Sequence, residues 1–550
     1  MFPPSVNDSP GRELGLVLVG FAALTIGLTY PLAFHLGTVL YRYDTNLDGQ
    51  FSVWNVAWVA RTLVIDPLHV FDANIFYPHR WTLAYSETNL GAGALALPVY
   101  WATRNPYAAH NFVLLLSFVF SATGMYYLVR YLVHDRRAAV VAAICFAYCP
   151  YVFARLPHIQ LLMTAGLPFS LLAFHRLADR PSAGRGVALG AIMAAQAFFC
   201  AYYAVFVMLM VAYAVVFVAV SRRRWRESRY WIAVAVAAGL AIVAVLPLVG
   251  VYVMFRSATG FSRSVETAGS FSADWRAYFA SSAYAHAWIL SLLHTWREVL
   301  FPGVVASAFG IGGVVAGWFR GRRASELVVL YGSLAILACW ESFGPVAGLY
   351  RLTYAIAPGF SFMRAAGRFG LIVSFALAVL AAEAIARLLV RVSRPAWVAA
   401  LLAIVAACEL AVPLQFVRVP PPEPAYQLLA TLPYGAVIEM PVYSPRFAFV
   451  REQYMLSSTI HWMPLVDAYS DYIPQDFVES AEILADFPTR DAFRQLEHDH
   501  VRYAVFHVAS YGTQGDALRV RLTEFAPYLR RLYADDRIWL YEIVGFPRSP

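Results

Sequence analysis

Charged residues are scarce in this chain. Only 14% of its 550 residues are Asp, Glu, Lys or Arg, whereas 60% are hydrophobic, which is far from the balance of a soluble globular protein. The formal net charge of +8 is compatible with nucleic-acid binding, but the arginines fall in short loops between apolar runs. Because that distribution is typical of topology signals in a membrane protein, we predict membrane lipids and no nucleic acid among the partners.

Cysteine is also rare, and nucleotide-binding motifs are missing from the C-terminal tail. The five cysteines show neither metal-ligand spacing nor a disulfide framework, so we interpret them as small core residues. The tail contains no Gly-rich loop after a strand and no P-loop, so an activated substrate would have to be carried by a lipid. The cysteines lie in or beside apolar segments, at Cys145, Cys149, Cys200, Cys339 and Cys408.

Long apolar runs are abundant, and they predict a polytopic α-helical membrane protein with about 11 transmembrane helices. The first run is too long for the core of a signal peptide and is interpreted as a retained span. The run 91–101 is too short to cross a bilayer and predicts an interfacial or re-entrant helix. The predicted spans are 14–36, 111–132, 138–153, 161–177, 187–203, 204–220, 231–255, 302–319, 327–342, 371–390 and 396–416.

The arginine distribution predicts the orientation. With a cytoplasmic N-terminus, the arginine-dense short loops all fall inside, as the positive-inside bias requires. The first loop, 37–89, and the tail then lie on the extracytoplasmic side of a cell inner (plasma) membrane. We therefore predict a transmembrane domain, 1–417, which includes that first outer loop, and an extracytoplasmic α/β domain, 418–550.

Secondary structure can be predicted in both outer parts. Apolar residues and tryptophans recur at helical spacing over 51–63, which favours an amphipathic helix on the membrane surface. In the tail, short apolar runs predict buried strands and periodic segments predict helices. The predicted strands are 436–442, 501–508 and 537–544, and the predicted helices are 475–484 and 490–497.

Two carboxylates follow the first span, Asp44 and Asp48. A carboxylate at the membrane surface, partly desolvated by Trp54 and Trp58, can act as a general base or hold a divalent metal such as Mg²⁺ or Mn²⁺. The alternatives are that these carboxylates are simply solvated, or that Asp48 caps the following helix. Both residues are candidate catalytic groups, and the two tryptophans are candidate substrate contacts.

Arginines mark a later outer loop, 344–369. Arg364 and Arg368 are four residues apart, and on a helix they would share one face and present two guanidiniums to a phosphate or diphosphate. The alternative is that they anchor the helix by snorkelling, although that bias favours the cytoplasmic side. Arg351 in the same loop is a third candidate substrate-binding residue.

A short predicted turn, 155–160, holds His158 and Gln160 beside an arginine. Such a turn has little reason to be this polar unless it faces a polar cavity, so both residues are candidate substrate contacts; the alternative is that they are ordinary interface residues. Glu383 and Arg387 are predicted to form an intrahelical pair. His175 and Gln196 are interpreted as structural.

Several strings of the chain resemble poorly characterised bacterial members of the GT-C superfamily of integral-membrane glycosyltransferases. So does the order of one span, a long acidic outer loop, many spans and a soluble outer tail. The chain has no adjacent Asp-Asp or Asp-Glu pair and no Trp-Trp-Asp string in that loop, so Asp44 and Asp48 both stay open. The strings are 74–78 (NIFYP), 106–111 (PYAAHN), 362–369 (FMRAAGRF), 487–488 (FP) and 501–507 (VRYAVFH).

The resemblance implies a glycosyltransferase. The donor would be a sugar on a polyprenyl phosphate or diphosphate, and the acceptor a glycan, lipid or protein on the outer side. The first-loop carboxylate would act as base or metal ligand, and a single displacement would invert the anomeric carbon. Other hypotheses are a non-catalytic transporter or assembly factor, and a polysaccharide polymerase or ligase. A transporter should show internal repeats, and none is apparent.

Overall fold

Helices account for most of the residues that the computed structural model describes, which are 10–42, 48–318, 322–357 and 359–548. The helices up to the tail are, in chain order, α1 (Pro10–Leu28), α2 (Asp48–Ile65), α3 (Leu90–Thr103), α4 (Pro106–Val133), α5 (Arg136–Ala147), α6 (Pro150–Phe153), α7 (Ile159–Leu162), α8 (Gly166–Asp179), α9 (Ala183–Phe199), α10 (Ala201–Ser221), α11 (Ser228–Thr259), α12 (Val265–Ser270), α13 (Ala287–Leu293), α14 (Val304–Trp318), α15 (Arg322–Ser342), α16 (Leu349–Ile356), α17 (Gly370–Arg391) and α18 (Pro395–Glu409).

The tail adds shorter helices and the strands of a small sheet. Its helices are α19 (Pro424–Leu429), α20 (Glu452–Ser457), α21 (Gln475–Ala485), α22 (Arg490–His498) and α23 (Gly515–Glu524). The strands of the described chain are β1 (Val39–Tyr41), β2 (Phe416–Arg418), β3 (Ala436–Met440), β4 (Val501–His507), β5 (Leu529–Ala534) and β6 (Ile538–Ile543).

The membrane-spanning character predicted from the apolar runs is confirmed. Within the described residues, 8 helices are long and apolar enough to cross a bilayer. Three further predicted spans, α9, α14 and α18, are apolar but only 17, 15 and 15 residues long. The short run near residue 91 forms α3, whose 14 residues rise about 21 Å, too little for the bilayer core.

The boundary inside the long apolar run 187–220 lies at Cys200. Its backbone is extended, with φ −162° and ψ 115°, so the chain forms two helices rather than one. The prediction for the cysteines holds only in part. Cys145, Cys149 and Cys200 are buried, Cys339 is half-buried, and Cys408 on α18 is exposed.

The chain divides into two units by its internal packing. The first, here the bundle unit, contains α1, Asn111–Gly250 and Gly260–Phe416. Its helices approach closely where glycine removes the side chain: a Cβ on Gly313 of α14 would lie 2.1 Å from the carbonyl oxygen of Leu380 on α17. Small residues at helix contacts are characteristic of membrane bundles, because close packing replaces the hydrophobic effect there.

The second unit, here the loop–tail unit, joins Leu36–His110, Val251–Thr259 and Val417–Pro550. The first outer loop therefore packs with the tail, although the sequence prediction grouped it with the spans. The sheet order is β3-β4-β6-β5, with β3 and β4 parallel and the other pairs antiparallel. The three predicted strands and two predicted helices are all present within a few residues, and this confirms an α/β tail.

Helix α2 corrects the prediction of an amphipathic surface helix. The helix exists, but its residues are buried on every face from Ser52 to Ala60. It packs against α3 and α20, and a Cβ on Gly93 of α3 would lie 2.3 Å from Val59. A helix that is apolar all round belongs in a core, and the helical spacing of its tryptophans could not distinguish the two cases.

A candidate anion site in the bundle unit

Arg368 carries a guanidinium with no carboxylate to neutralise it among the described residues. It lies in the 3-10 turn Ala366–Phe369, directly before α17, and its side chain is partly buried. The guanidinium carbon lies 4.2 Å from the ring centroid of Tyr202, which is a cation–π contact. In the described part of the chain, this guanidinium has no hydrogen-bond or ion-pair partner, so all five of its N–H donors can serve a ligand.

Tyr202 connects the two predicted arginines. Its ring lies against Arg368, while its hydroxyl accepts a hydrogen bond from the backbone N–H of Arg364 at 2.9 Å. The side chain of Arg364 lies over a different ring, that of Phe271, at 5.3 Å. Both arginines are therefore held in the same neighbourhood by aromatic side chains from other parts of the bundle unit.

The prediction that the two arginines share a helix face is wrong. Residues 363–365 are not helical, and α17 begins only at Gly370. Packing against another loop holds this segment in its non-helical conformation. The N–H of Gly367 donates to the carbonyl of Phe271 at 3.0 Å. A Cβ on Gly367 would lie 2.8 Å from Glu298. Irregular backbone therefore positions these arginines, and each guanidinium lies against a different aromatic ring.

Arg155 forms the second part of the cluster, in the turn after α6. It makes an ion pair with Glu298, and its guanidinium carbon lies 5.1 Å from the ring centroid of Tyr151. Burial alone would lower the pKa of Arg155 and the charge of Arg368 acts in the same direction, but the Glu298 carboxylate keeps the pKa above its usual value. Arg155 is therefore neutralised within the protein, whereas Arg368 has no such partner in the described chain.

Two buried tyrosines, Tyr151 and Tyr203, lie close to Arg155, which contacts the ring of Tyr151. The hydroxyls of Tyr151 and Tyr203 are 3.4 Å apart, and that of Tyr203 donates to the carbonyl of Leu161 at 2.9 Å. Tyr203 follows Tyr202 at the start of α10. Sequence reasoning missed Tyr151, Tyr202, Tyr203 and Glu298. The only signals for them were the adjacent tyrosines at a helix start and a glutamate directly after Arg297, the arginine that ends a long uncharged stretch.

The polar turn that holds His158 and Gln160 belongs to the same neighbourhood. The N–H of His158 donates to the carbonyl of Arg155 at 2.9 Å. The side-chain oxygen of Gln160 and the Nε of Arg155 are both buried without a hydrogen-bond partner among the described residues. Such groups cost free energy and are rare in native proteins, so they favour a ligand or water in this region.

Comparison with known proteins identifies the architecture. Residues 104–249 match the family model for dolichyl-phosphate-mannose-protein mannosyltransferase. The structure resembles the archaeal oligosaccharyltransferase AglB from Archaeoglobus fulgidus, which was solved with an inhibitory peptide and a dolichol-phosphate. The TM-score is 0.50 and the sequence identity 13%, and the match covers 95% of this chain and 73% of AglB. It also resembles the arabinofuranosyltransferase AftD from Mycobacteria, with a TM-score of 0.61 at 14% identity, over 98% of this chain and 42% of AftD.

The chain has the GT-C fold. No curated protein sequence matches it. The mannosyltransferase model covers the bundle from the start of α4 into α11, and with it Arg155, Gln160 and Tyr202. Of the three arginines described above, the matched segment thus contains Arg155, while Arg364 and Arg368 lie after it.

The remaining predicted site residues of this GT-C fold are Arg351, Asp44, Asp48, Trp54 and Trp58. Arg351 is exposed, and its Nε donates to the carbonyl of Pro345 at 3.1 Å, so it braces its own loop. Asp44 lies outside the described residues. Asp48 is the first residue of α2, and its side chain is not among those described. These carboxylates remain predictions from the sequence.

Trp54 and Trp58 are packing residues of the loop–tail unit. Trp54 is fully buried and its indole N–H donates to Asn74 at 3.1 Å, while that of Trp58 donates to the carbonyl of Val70 at 2.9 Å. A buried ring whose only polar atom is already bonded presents no surface to a substrate, so we correct both assignments. Asn74 continues the network, because its amide donates to Ser458 and to the carbonyl of Met463.

We predict that Asn74→Ala destabilises the protein by about 1–3 kcal/mol, because it leaves the buried Trp54 N–H and the Met463 carbonyl without partners. Thermal unfolding in detergent or nanodiscs measures this as a lower midpoint. The control is Gln427→Ala, which removes an exposed amide with a single backbone contact and should change the midpoint little. An unchanged midpoint in Asn74→Ala would contradict the assigned network.

The residues interpreted as structural have structural contacts. Arg387 donates to Glu383 at 3.0 Å within α17. His175 contacts the hydroxyl of Tyr331 at 2.9 Å. The amide of Gln196 accepts from the N–H of Gly166 and donates to the carbonyl of Met163, which pins the turn before α8. In the described part of the chain, no three His, Cys, Asp or Glu side chains group as metal ligands.

Proposed function

We propose that this GT-C-fold protein is a membrane glycosyltransferase that moves a sugar from a polyprenyl-phosphate-linked donor to an acceptor hydroxyl or amide on the extracytoplasmic side. The observation that carries the proposal is the guanidinium of Arg368 on Tyr202, which no carboxylate of the described chain compensates. A phosphate matches this group, since guanidinium N–H donors pair bidentately with phosphate oxygens. The match to a family acting on a dolichyl-phosphate sugar supports the same chemistry.

The proposed reaction is a single displacement at the anomeric carbon. A bond forms between the acceptor oxygen or nitrogen and that carbon while its bond to the phosphate oxygen breaks, which inverts its configuration. Arg368 would stabilise the negative charge that grows on the departing polyprenyl phosphate. The acceptor proton passes to a general base, for which Asp48 or Asp44 is the candidate.

The Arg155–Glu298 pair has a supporting role in this proposal. Because Glu298 already neutralises Arg155, the pair adds donors to the region without adding net charge. Two buried atoms have no hydrogen-bond partner in the described chain: the Nε of Arg155 and the side-chain oxygen of Gln160. In this proposal they bind hydroxyl groups of the sugar or an ordered water.

The proposed orientation is an N-terminus in the cytoplasm and a tail outside, in a cell inner (plasma) membrane. It rests on the arginine-dense loops 175–185, 221–229 and 387–394, which all fall on one side. Reporter fusions after Arg185 and Arg224 should read cytoplasmic, and a fusion after Val442 should read extracytoplasmic. A cytoplasmic reading after Val442 would contradict both the orientation and the side on which transfer takes place.

The activity is tested by offering the reconstituted protein a panel of radiolabelled polyprenyl-phosphate sugars together with envelope glycans, lipids and peptides. A glycosyltransferase releases polyprenyl phosphate as labelled acceptor appears. A transporter would move the labelled lipid between leaflets without releasing its carrier, and a polymerase or ligase would transfer only preassembled chains. Intact labelled donor across the whole panel would reject the proposal.

A further inference from the structure

The second outer loop exposes a row of aromatic and aliphatic side chains. Its stretch 277–296 contains no Asp, Glu, Lys or Arg and is flanked by Arg276 and Arg297. The exposed fractions reach 64% for Trp288 and 67% for Leu292, which are four residues apart on α13 and therefore share a face. The other exposed members of the row are Phe271, Trp275, Phe279, Tyr284 and Trp296.

A buried hydrogen bond holds this loop at the ends of two spans. His286 is 2% exposed, and its Nε2 lies 3.0 Å from Glu409 at the end of α18. The same carboxylate accepts the backbone N–H groups of Val304 and Val305, the first residues of α14. The N–H of Tyr284 donates to the carbonyl of Ala411 at 3.0 Å. The loop therefore cannot rise away from the helix ends without breaking several buried contacts.

The spans to which the loop is bonded also expose apolar side chains. Ile311 on α14 and Leu401 and Ile404 on α18 are at least 60% exposed, and in a membrane-spanning helix such residues face acyl chains. The contacts of His286 and Tyr284 place the loop at the end of α18 and the start of α14. Its aromatic row therefore lies at the ends of two helices that have lipid-facing surfaces. Trp and Tyr are enriched at that depth, where a ring can be apolar on one side and wet on the other.

We infer that the 271–296 face is a membrane-embedded surface: α13 and its neighbours lie in the headgroup and upper acyl-chain region of the leaflet at this end of the bundle. The occupant of the exposed face is the bilayer itself, and Arg276 and Arg297, which bound the uncharged stretch 277–296, lie at phosphate level. The same loop supplies Phe271 under Arg364 and Glu298 to Arg155, so the anion site is built partly from a segment in contact with lipid.

Photolabelling of the intact protein tests this inference. The protein is reconstituted in nanodiscs of phosphatidylcholine that carries a diazirine in its upper acyl chain, irradiated, digested and mapped by mass spectrometry. We expect lipid adducts on peptides from 277–296 at a level comparable to peptides of α11, and none on the exposed face of α23, which serves as the soluble control. Adducts on α11 without adducts on 277–296 would overturn the inference.

A double variant separates contact with the bulk bilayer from binding of the lipid carrier in a groove. Trp288→Glu with Leu292→Glu changes only exposed side chains, and should reduce labelling of the loop to the level of α23 while α11 remains labelled. Val520→Glu, an exposed position on α23, is the matched control and should change nothing. Loop labelling that appears only after polyprenyl phosphate is added would overturn the inference, because the face would then be a carrier groove. Because the readout is lipid contact, it is independent of sugar transfer.

Discussion

Replacing Arg368 with alanine is expected to lower the rate of sugar transfer by about ten- to a hundredfold, since a charge-assisted contact is worth roughly 1.5–3 kcal/mol. The guanidinium has no internal ion-pair partner among the described residues, so its loss breaks no salt bridge that stabilises the fold. Folding and membrane insertion should therefore remain normal. The rate is measured as released polyprenyl phosphate per mole of reconstituted protein, with the unfolding midpoint measured alongside.

Two further variants make this result specific. Arg368→Lys keeps the charge but loses the planar fork and the stacking on Tyr202, so it should recover only part of the rate. Arg229→Ala removes the same side chain from an exposed position and should leave the rate unchanged. Full activity in Arg368→Ala would show that Arg368 is an anchor of α17 rather than a phosphate ligand.

Replacing Asp48 with asparagine is expected to lower transfer by roughly 10²-fold or more, the usual scale for loss of a general base. Asn keeps the size of the side chain and caps a helix as well as Asp does. A capping role at the start of α2 would therefore leave the rate near normal, so this one substitution separates the catalytic hypothesis from the structural one. The same release assay measures the effect.

Asp44→Asn is the internal comparison for the first-loop carboxylates. Both residues follow the first span, and only their separate rates can decide which one acts as base. We expect the larger loss at Asp48. Wild-type rates in both variants, with normal protein levels, would mean that this loop does not hold the base.

The spans were predictable because one physical rule determines them. An apolar run must be about 20 residues long to cross a bilayer, and its backbone must be helical there. That rule correctly separates α4 and α17 from the short α3. The span 396–416 was predicted only approximately, because α18 ends at Glu409, before the apolar run does.

The buried surroundings of α2 could not be read from the sequence. Tryptophans at helical spacing are expected both on a membrane surface and in a core. The tertiary contacts with α3 and α20, some of them about 400 residues away in the chain, decide between the two. The edge strand β5 was missed for a related reason, since Arg530 and Arg531 at an exposed edge hide the alternation that marks a strand.

The candidate site was only half predictable. Arginines in an outer loop are visible as isolated charges, so Arg364 and Arg368 could be identified. Tyr202 and Glu298 could not, because each acts through a contact with a residue more than 100 positions away. Periodicity describes neighbours along a helix, and it carries no information about an irregular segment such as 363–365 that is held in place by other elements.

Direct binding of the lipid carrier tests whether Arg368 is the phosphate ligand. Wild-type protein and Arg368→Ala are reconstituted in nanodiscs and titrated with polyprenyl phosphate, and with the uncharged polyprenol of the same length as reference. We predict that Arg368→Ala binds polyprenyl phosphate about ten- to a hundredfold more weakly, whereas both proteins bind the polyprenol equally. Equal affinity of the two proteins for polyprenyl phosphate would contradict the assignment of Arg368 as the phosphate ligand.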